Sequence, residues 1–317
     1  MSLVAARLSL RLGRFEVVIF GVLLVAAVVG ALLAADHIAS LAPPIECLYQ
    51  YADVETGALP AGCEGSQAAF YEAVGGFGSP LTSALVFLPL AAGVFLGVPI
   101  VARELERGTS RLAWSFAPSR WRWYVARMAP ALLMVAVLGL LAGHAADRLL
   151  AASEPGLTVD AAFANFGFRG VALASRALFV FCLAVAVGAI VGRALPAVIL
   201  TAVVAFVGLG GDAEVHRRIL ATEAVPMTQA TVRPGDMWID QRFQLPDGSL
   251  VGWEYFDGGE NGQPYDDDGN TRYPEIILAV RGERYGFAEA REAGALGAGS
   301  IVGLLVGGFV VGRRRPG

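Results

Sequence analysis

Six stretches of the chain are apolar, almost free of charge, and closed by charged residues. They are Val17 to Ala35, Leu81 to Ala102, Met128 to Ala146, Val171 to Gly192, Ala194 to Gly211 and Ala293 to Gly312. Each is about 18–22 residues long, and a helix crossing the hydrocarbon core of a bilayer needs about 20. Lipid offers backbone polar groups no partner, so the segments are expected as helices that satisfy their own hydrogen bonds. A soluble core does not explain them: 56% of the 317 residues are hydrophobic and 16% are charged, against about 25% charged in ordinary soluble domains. The first stretch exceeds the apolar region of a secretory signal, about 7–15 residues, and no clean A-x-A site follows it. A net charge of −4 points away from nucleic acid.

These features predict an all-α polytopic membrane protein with six transmembrane helices, an N-terminal interfacial helix and a small β-containing extracytoplasmic cap. Residues 1–16 form the amphipathic interfacial helix, with Arg7, Arg11 and Arg14 on one face; they also read as a positive flank that sets topology. Residues 17–211 hold helices one to five, with an outer loop at 36–80 and a cytoplasmic loop at 103–127. Residues 212–292 are the extracytoplasmic domain, and 293–317 hold the sixth helix and a cytoplasmic tail. Arginine sets the orientation, because all 24 basic residues are arginine and basic residues favour the cytoplasmic side. Arg7, Arg11, Arg14, six arginines of the 103–127 loop, Arg193 and Arg313 to Arg315 then share one side. Both termini are expected in the cytoplasm, and the chain as a multi-pass protein of a bacterial cytoplasmic (inner) membrane.

Cys47 and Cys63 fall together in the outer loop. A disulfide there suits an oxidising exterior and contributes about 3 kcal/mol; two free thiols are the alternative. Cys182 lies inside the fourth stretch as a small apolar residue.

The 103–127 loop carries the densest charge. Glu104 can pair with Arg107 three residues on. Gly108 can end the preceding helix, Thr109 or Ser110 can start another turn, and Pro118 breaks the chain before Trp121 and Trp123. The pattern is a helix–break–helix docking surface, or an ordinary positive loop. The run VARELERGTSRLAWSFAPSRWRW resembles the motif A-R-E-x-E-x-G-T-x-x-L-A-W…R-x-x-W of type-2 ABC exporter permeases, in a branch common in actinobacteria. Ser115 and Phe116 stand where that motif has a Gln. The segment YGFAEAREAGALGAGSIVGLLVGGFVVGRRR is also similar to that branch, with Glu289 or Glu292 as the acid before the last span, though no tryptophan stands near Phe287. The resemblance implies a cytoplasmic ABC ATPase partner docked on a coupling segment of Arg103, Glu104, Glu106, Arg107, Gly108 and Thr109. It also implies a second permease copy or paralogue. ATP and Mg would be bound by the ATPase, with no cofactor and no metal in this chain.

Catalytic sets are absent from the sequence. Without lysine there is no P-loop lysine, so ATP would be hydrolysed elsewhere. No H-E-x-x-H occurs, and His37, His144 and His216 are far apart. The spans hold almost no ionisable groups, which argues against ion-gradient coupling. Arg176 is the one candidate; it is expected to snorkel or pair with an outer-loop acid. Ala295, Gly299, Gly303 and Gly307 form a small-residue stripe for close helix packing. Pro89, Pro99, Pro130 and Pro196 can loosen helices as hinges or be merely structural. In the outer domain, RFQLPDGSLVG reads as strand, turn, strand, and TRYPEIILAV as another strand. Asp266, Asp268, Gly269 and Glu275 match four EF-hand positions, but Pro264 stands at position 1, and a solvated acidic turn is the better reading. The leading expectation is an ABC exporter permease moving an amphipathic or hydrophobic substrate, such as a drug-like metabolite, a lipid or a peptide. The alternative is a membrane-anchored sensor or assembly factor with an extracytoplasmic ligand-binding domain.

Overall fold

A computed structural model describes residues 14–48, 62–108, 119–256, 264–265 and 271–314. Of the interfacial helix expected at residues 1–16, residues 1–13 lie outside them and residues 14–16 begin the first helix, Arg14–Ser40. The chain divides into two compact units. One comprises Met1–Gly156, Asn165–Gly210 and Glu289–Gly317; the other comprises Leu157–Ala164 and Gly211–Ala288.

The first unit is helical. Its elements are α1 (Arg14–Ser40), α2 (Glu64–Ala73), a π turn (Val74–Gly78), α3 (Ser79–Glu106), α4 (Arg120–Ser153) and α5 (Gly170–Val191), together with most of α6 (Ala194–Glu223) and α7 (Tyr285–Arg313). Among the described residues six helical runs are long and apolar enough to cross a membrane. The second of them is longer than its apolar stretch, since the chain is helical without a break from Gly65 to Glu106, 42 residues. Much of the expected outer loop is therefore helix. Its polar composition conceals one apolar face: Gln67, Phe70 and Ala73 are buried at three-residue spacing, and Phe70 and Ala73 pack with Ala34 and Ile38 of α1. Cys47 and Cys63 are joined by a disulfide, with Cα atoms 5.2 Å apart. The Gln67 side chain donates to the Cys47 carbonyl at 3.2 Å, tying the start of α2 to that bridge.

Small residues bring the helices together. A Cβ at Gly97 of α3 would lie 2.6 Å from Ala184 Cβ and 2.7 Å from the Phe181 carbonyl of α5. Only glycine permits that approach, which trades side-chain area for backbone contact. The stripe on α7 faces α5 of the same chain: Gly299 abuts Phe179, Gly303 abuts Cys182, and Gly307 abuts Tyr124 and Ala186. Away from these contacts the helices present large apolar side chains outward, among them Val22, Leu33, Leu133, Ile199 and Ile301, with Phe206 82% exposed. A continuous apolar exterior of that kind is a lipid-facing surface. The chain is a polytopic membrane protein.

The second unit contains a four-stranded antiparallel sheet in the order β1 (Val225–Thr228), β4 (Glu275–Val280), β2 (Met237–Gln244), β3 (Leu250–Val251). The β2–β3 turn is the one legible in LPDGS: Gly248 has φ +85°, and Asp247 accepts from the Ser249 N–H and hydroxyl. Those bonds hold the Asp247 carboxyl below the usual carboxylate range. Phe243 sits at the centre of an aromatic cluster, edge-on to Trp253, Phe256 and Tyr265. Residues 266–269 of the calcium reading lie outside the described residues, and Glu275 is in β4 with its carboxylate accepting from the Tyr265 hydroxyl at 2.7 Å.

Gly97→Leu is expected to wedge α3 from α5 and destabilise by about 2 kcal/mol, as overpacking of a close-packed contact does; a lowered thermal midpoint in detergent checks it. Replacing Cys47 and Cys63 with alanine removes a loop constraint worth about 3 kcal/mol, and the same scan reads it.

Candidate functional site

The candidate docking segment begins where α3 ends. Glu106 is its last helical residue, Arg107 caps it, and Gly108 turns the chain away with φ +69°. The left-handed region is a common helix stop and favours glycine. Residues 109–118, including Thr109, lie outside the described residues. The chain restarts as expected of a capped helix: the Ser119 hydroxyl accepts from the Arg122 N–H at 3.2 Å, and α4 begins at Arg120.

The two acids of the segment reach neighbouring helices, Glu104 half-buried and Glu106 exposed. Glu104 pairs with Arg127 of α4, not with Arg107, and both side chains are 14% exposed. Three-residue spacing on α3 offered Arg107 as partner; α4 brings Arg127 to the less exposed side of the helix. The Glu106 carboxylate accepts from the N–H of Ala194, the first residue of α6, at 3.0 Å. A carboxylate there meets an unpaired backbone donor and the positive end of the helix dipole. Arg103 is half-buried, while Arg107 and Gly108 are exposed.

Arginines close the helices that end at this face. Arg120 donates from one nitrogen to the carbonyls of Gly312 at 3.1 Å and Arg314 at 2.6 Å, at the C-terminus of α7. Arg314 donates to the Ile190 carbonyl near the end of α5 at 2.9 Å. Deeper in, the Tyr124 hydroxyl donates to the Leu304 carbonyl at 3.0 Å. Five helices, α3 to α7, thus meet around the 103–127 segment through charged or polar side chains. Sequence reading placed Glu104 and Glu106 in the segment but missed Arg127 as the partner of Glu104 and Arg120 and Arg314 as caps of α7 and α5. The signal for Arg127 and Arg314 was their position within one turn of an expected helix end, Met128 and Gly312; Arg120, eight residues before Met128, carried none.

Arg176 does not snorkel; it pairs, as expected, with an acid of the segment read as the outer domain, Glu292 at the end of 212–292, which the structure places in α7. It is buried against Glu292 of α7, nitrogen to oxygen 2.6 Å. Glu289, the other acid before the last span, accepts from the Val171 N–H at 2.8 Å and the Ala172 N–H at 3.3 Å. Among the described residues no group of three or more His, Cys, Asp or Glu could hold a metal ion. The arrangement is suited to carrying force between helices.

One family model, described as ABC-2 membrane transporter related, matches residues 22–211, which include the whole 103–127 segment. No curated protein and no solved structure matches the chain.

Glu104→Arg sets two cations together in a poorly hydrated place, and a loss of about 3 kcal/mol is expected. Combining it with Arg127→Glu restores the pair. Thermal unfolding in detergent of both single variants and the double variant measures the coupling.

Proposed function

The chain belongs to the ABC-2 membrane transporter related family, and from that premise we propose that it is the permease subunit of an ATP-binding cassette exporter driven by an ATPase on a separate polypeptide. The observation that carries the proposal is the junction of five helices at the 103–127 segment. A partner that moves the end of α3 acts on α4 through Glu104–Arg127 and on α6 through Glu106. Motion of α4 reaches α7 through Arg120, and α7 holds α5 through Arg314. The exposed Arg107 and Gly108, together with Arg103 and Thr109, form the docking edge, while Glu104 and Glu106 transmit.

In this reading the arginine-rich face is cytoplasmic, as the excess of basic residues on that side favours. ATP and Mg are held by the partner, because a chain without lysine supplies no P-loop lysine to the phosphates. A second permease copy or a paralogue completes the route. Core clusters such as Ala92, Leu96, Val135 and Phe181 are apolar, so a cargo moving along spans of this composition is selected by shape and apolar contact. An amphipathic or hydrophobic molecule fits.

Co-expression with an ABC ATPase encoded beside this chain, followed by purification through a tag on the permease, tests the proposal. The ATPase is expected to co-purify. Arg107→Glu is expected to reduce its recovery by about tenfold while stability stays within about 0.5 kcal/mol, as for an exposed substitution. Equal recovery with Arg107→Glu removes the docking edge; no recovery with the native chain removes the permease reading. Orientation is read separately: after reduction, a membrane-impermeant maleimide is expected to label Cys47 and Cys63 from outside intact cells.

A further inference from the structure

The end of α5 away from the arginine loop carries charges that the docking reading does not use. Arg176 lies six residues into α5, about 9 Å along the helix from Gly170, and its neighbours Leu173, Ala174, Ala177 and Val180 are buried and apolar. Its side chain is 7% exposed, and that of its partner Glu292 is 1% exposed. The guanidinium lies over the Phe168 ring, 4.6 Å from the centroid. It also fills the space beside Gly167, a position with φ +80° where a Cβ would collide with it. One turn before Glu292 on α7, Glu289 caps the first turn of α5. On the other flank Arg169, itself buried, pairs with Asp147 of α4 at 2.7 Å. The chain from Gly167 to Arg176 is thus fitted around ionic contacts to α4 and α7.

Packing alone does not call for these charges. Burying an ion pair costs desolvation that its attraction barely offsets, and apolar residues of similar volume often hold a fold as well or better. Ionisable groups inside a membrane bundle mark moving or conducting parts. An ion pair differs from an apolar contact in one useful way: once separated, both partners can be hydrated, so the open state is also stable. The rest of the α5–α7 contact is suited to movement, because Gly299, Gly303 and Gly307 present backbone to Phe179, Cys182 and Ala186.

We propose that Arg176–Glu292, with Glu289 on the α5 N-terminus, is a latch that holds the far ends of α5 and α7 together and opens during the transport cycle. Arg176, Glu289 and Glu292 are positioning residues: they set whether that end of the bundle is shut. The proposal rests on the permease reading for its trigger, namely ATP binding by the partner at the opposite end of the same helices.

The test uses Ala172→Cys, a small change at a buried position whose backbone N–H meets Glu289, and follows its labelling by an impermeant maleimide in membrane vesicles. In the permease alone, labelling is expected to be slow, and Glu292→Gln is expected to speed it by on the order of tenfold, a typical allosteric coupling. The exchanged pair Arg176→Glu with Glu292→Arg is expected to return it to the slow rate. In the complex with the ATPase, trapping with ATP and vanadate is expected to give the fast rate for the native pair. The apolar pair Arg176→Met with Glu292→Leu is expected to fold, judged by its thermal midpoint, yet to stay slow with and without nucleotide. The latch is overturned if Glu292→Gln, folded, labels no faster than the native pair. It is also overturned if the apolar pair responds to nucleotide as the native pair does. An ATPase that binds and hydrolyses ATP without changing the native labelling overturns the latch and leaves the permease reading standing. Failure of the ATPase to bind removes the permease reading, while the Glu292→Gln arm still decides the latch.

Discussion

Every helix end leaves backbone N–H or C=O groups without a partner, and in an apolar bundle little water is at hand to supply one. Neighbouring helices supply it here with charged side chains. Carboxylates sit on helix starts, Glu106 at α6 and Glu289 at α5. Guanidinium groups sit on helix ends, Arg120 at α7 and Arg314 at α5. The signs match the helix dipole in each case. One set of contacts therefore satisfies the backbone, sets the register between helices and links their movements. A helix that shifted along its neighbour would lose its cap, so each of these contacts ties the movement of one helix end to another for as long as it holds.

Much of this architecture was legible in the sequence. Charge-bounded apolar runs set the six spans because hydrocarbon thickness imposes one length on all of them. The sheet was foreshadowed by LPDGS between two strands and by TRYPEIILAV, although β1, only four residues from Val225 to Thr228, was not read. Hidden from one-dimensional reading was whatever depends on distant parts of the chain. Gln67, Phe70 and Ala73 make a helix face only because α1 lies beside them. Gly75 and Gly76, inside the expected outer loop at 36–80, lie in a π turn. Spacing along α3 gave Glu104 an arginine three residues away, yet the arginine that pairs with it is 23 positions on, across a segment no helical periodicity connects. Arg176 stood out as an anomaly in a greasy run, but its partner could be identified only once α7 was laid against α5.

Arginine in place of lysine is consistent with this scheme. A guanidinium offers several donors in a fixed plane, and Arg120 serves two carbonyls at once. Arg176 adds a face that stacks on Phe168 while its edge meets Glu292. A lysine ammonium, a flexible and strongly hydrated point charge, does neither as well in a poorly hydrated site. The same composition leaves the chain without a phosphate-binding lysine, so the structural need and the proposed division of labour with an ATPase run in one direction.

The unbroken helix from Gly65 to Glu106 has a mechanical meaning. At 1.5 Å per residue its 42 residues span about 63 Å, roughly twice the hydrocarbon thickness. Its tightest backbone contact, Gly97 against Phe181 and Ala184, lies nine residues from one tip and thirty-two from the other. That contact is a fulcrum with arms of about 14 Å and about 48 Å. Were the helix to tilt as one body through Pro89 and the π turn, one ångström at Glu106 would become about three and a half at the Gly65 tip, so a shallow nudge on the short arm would be geared up on the long one.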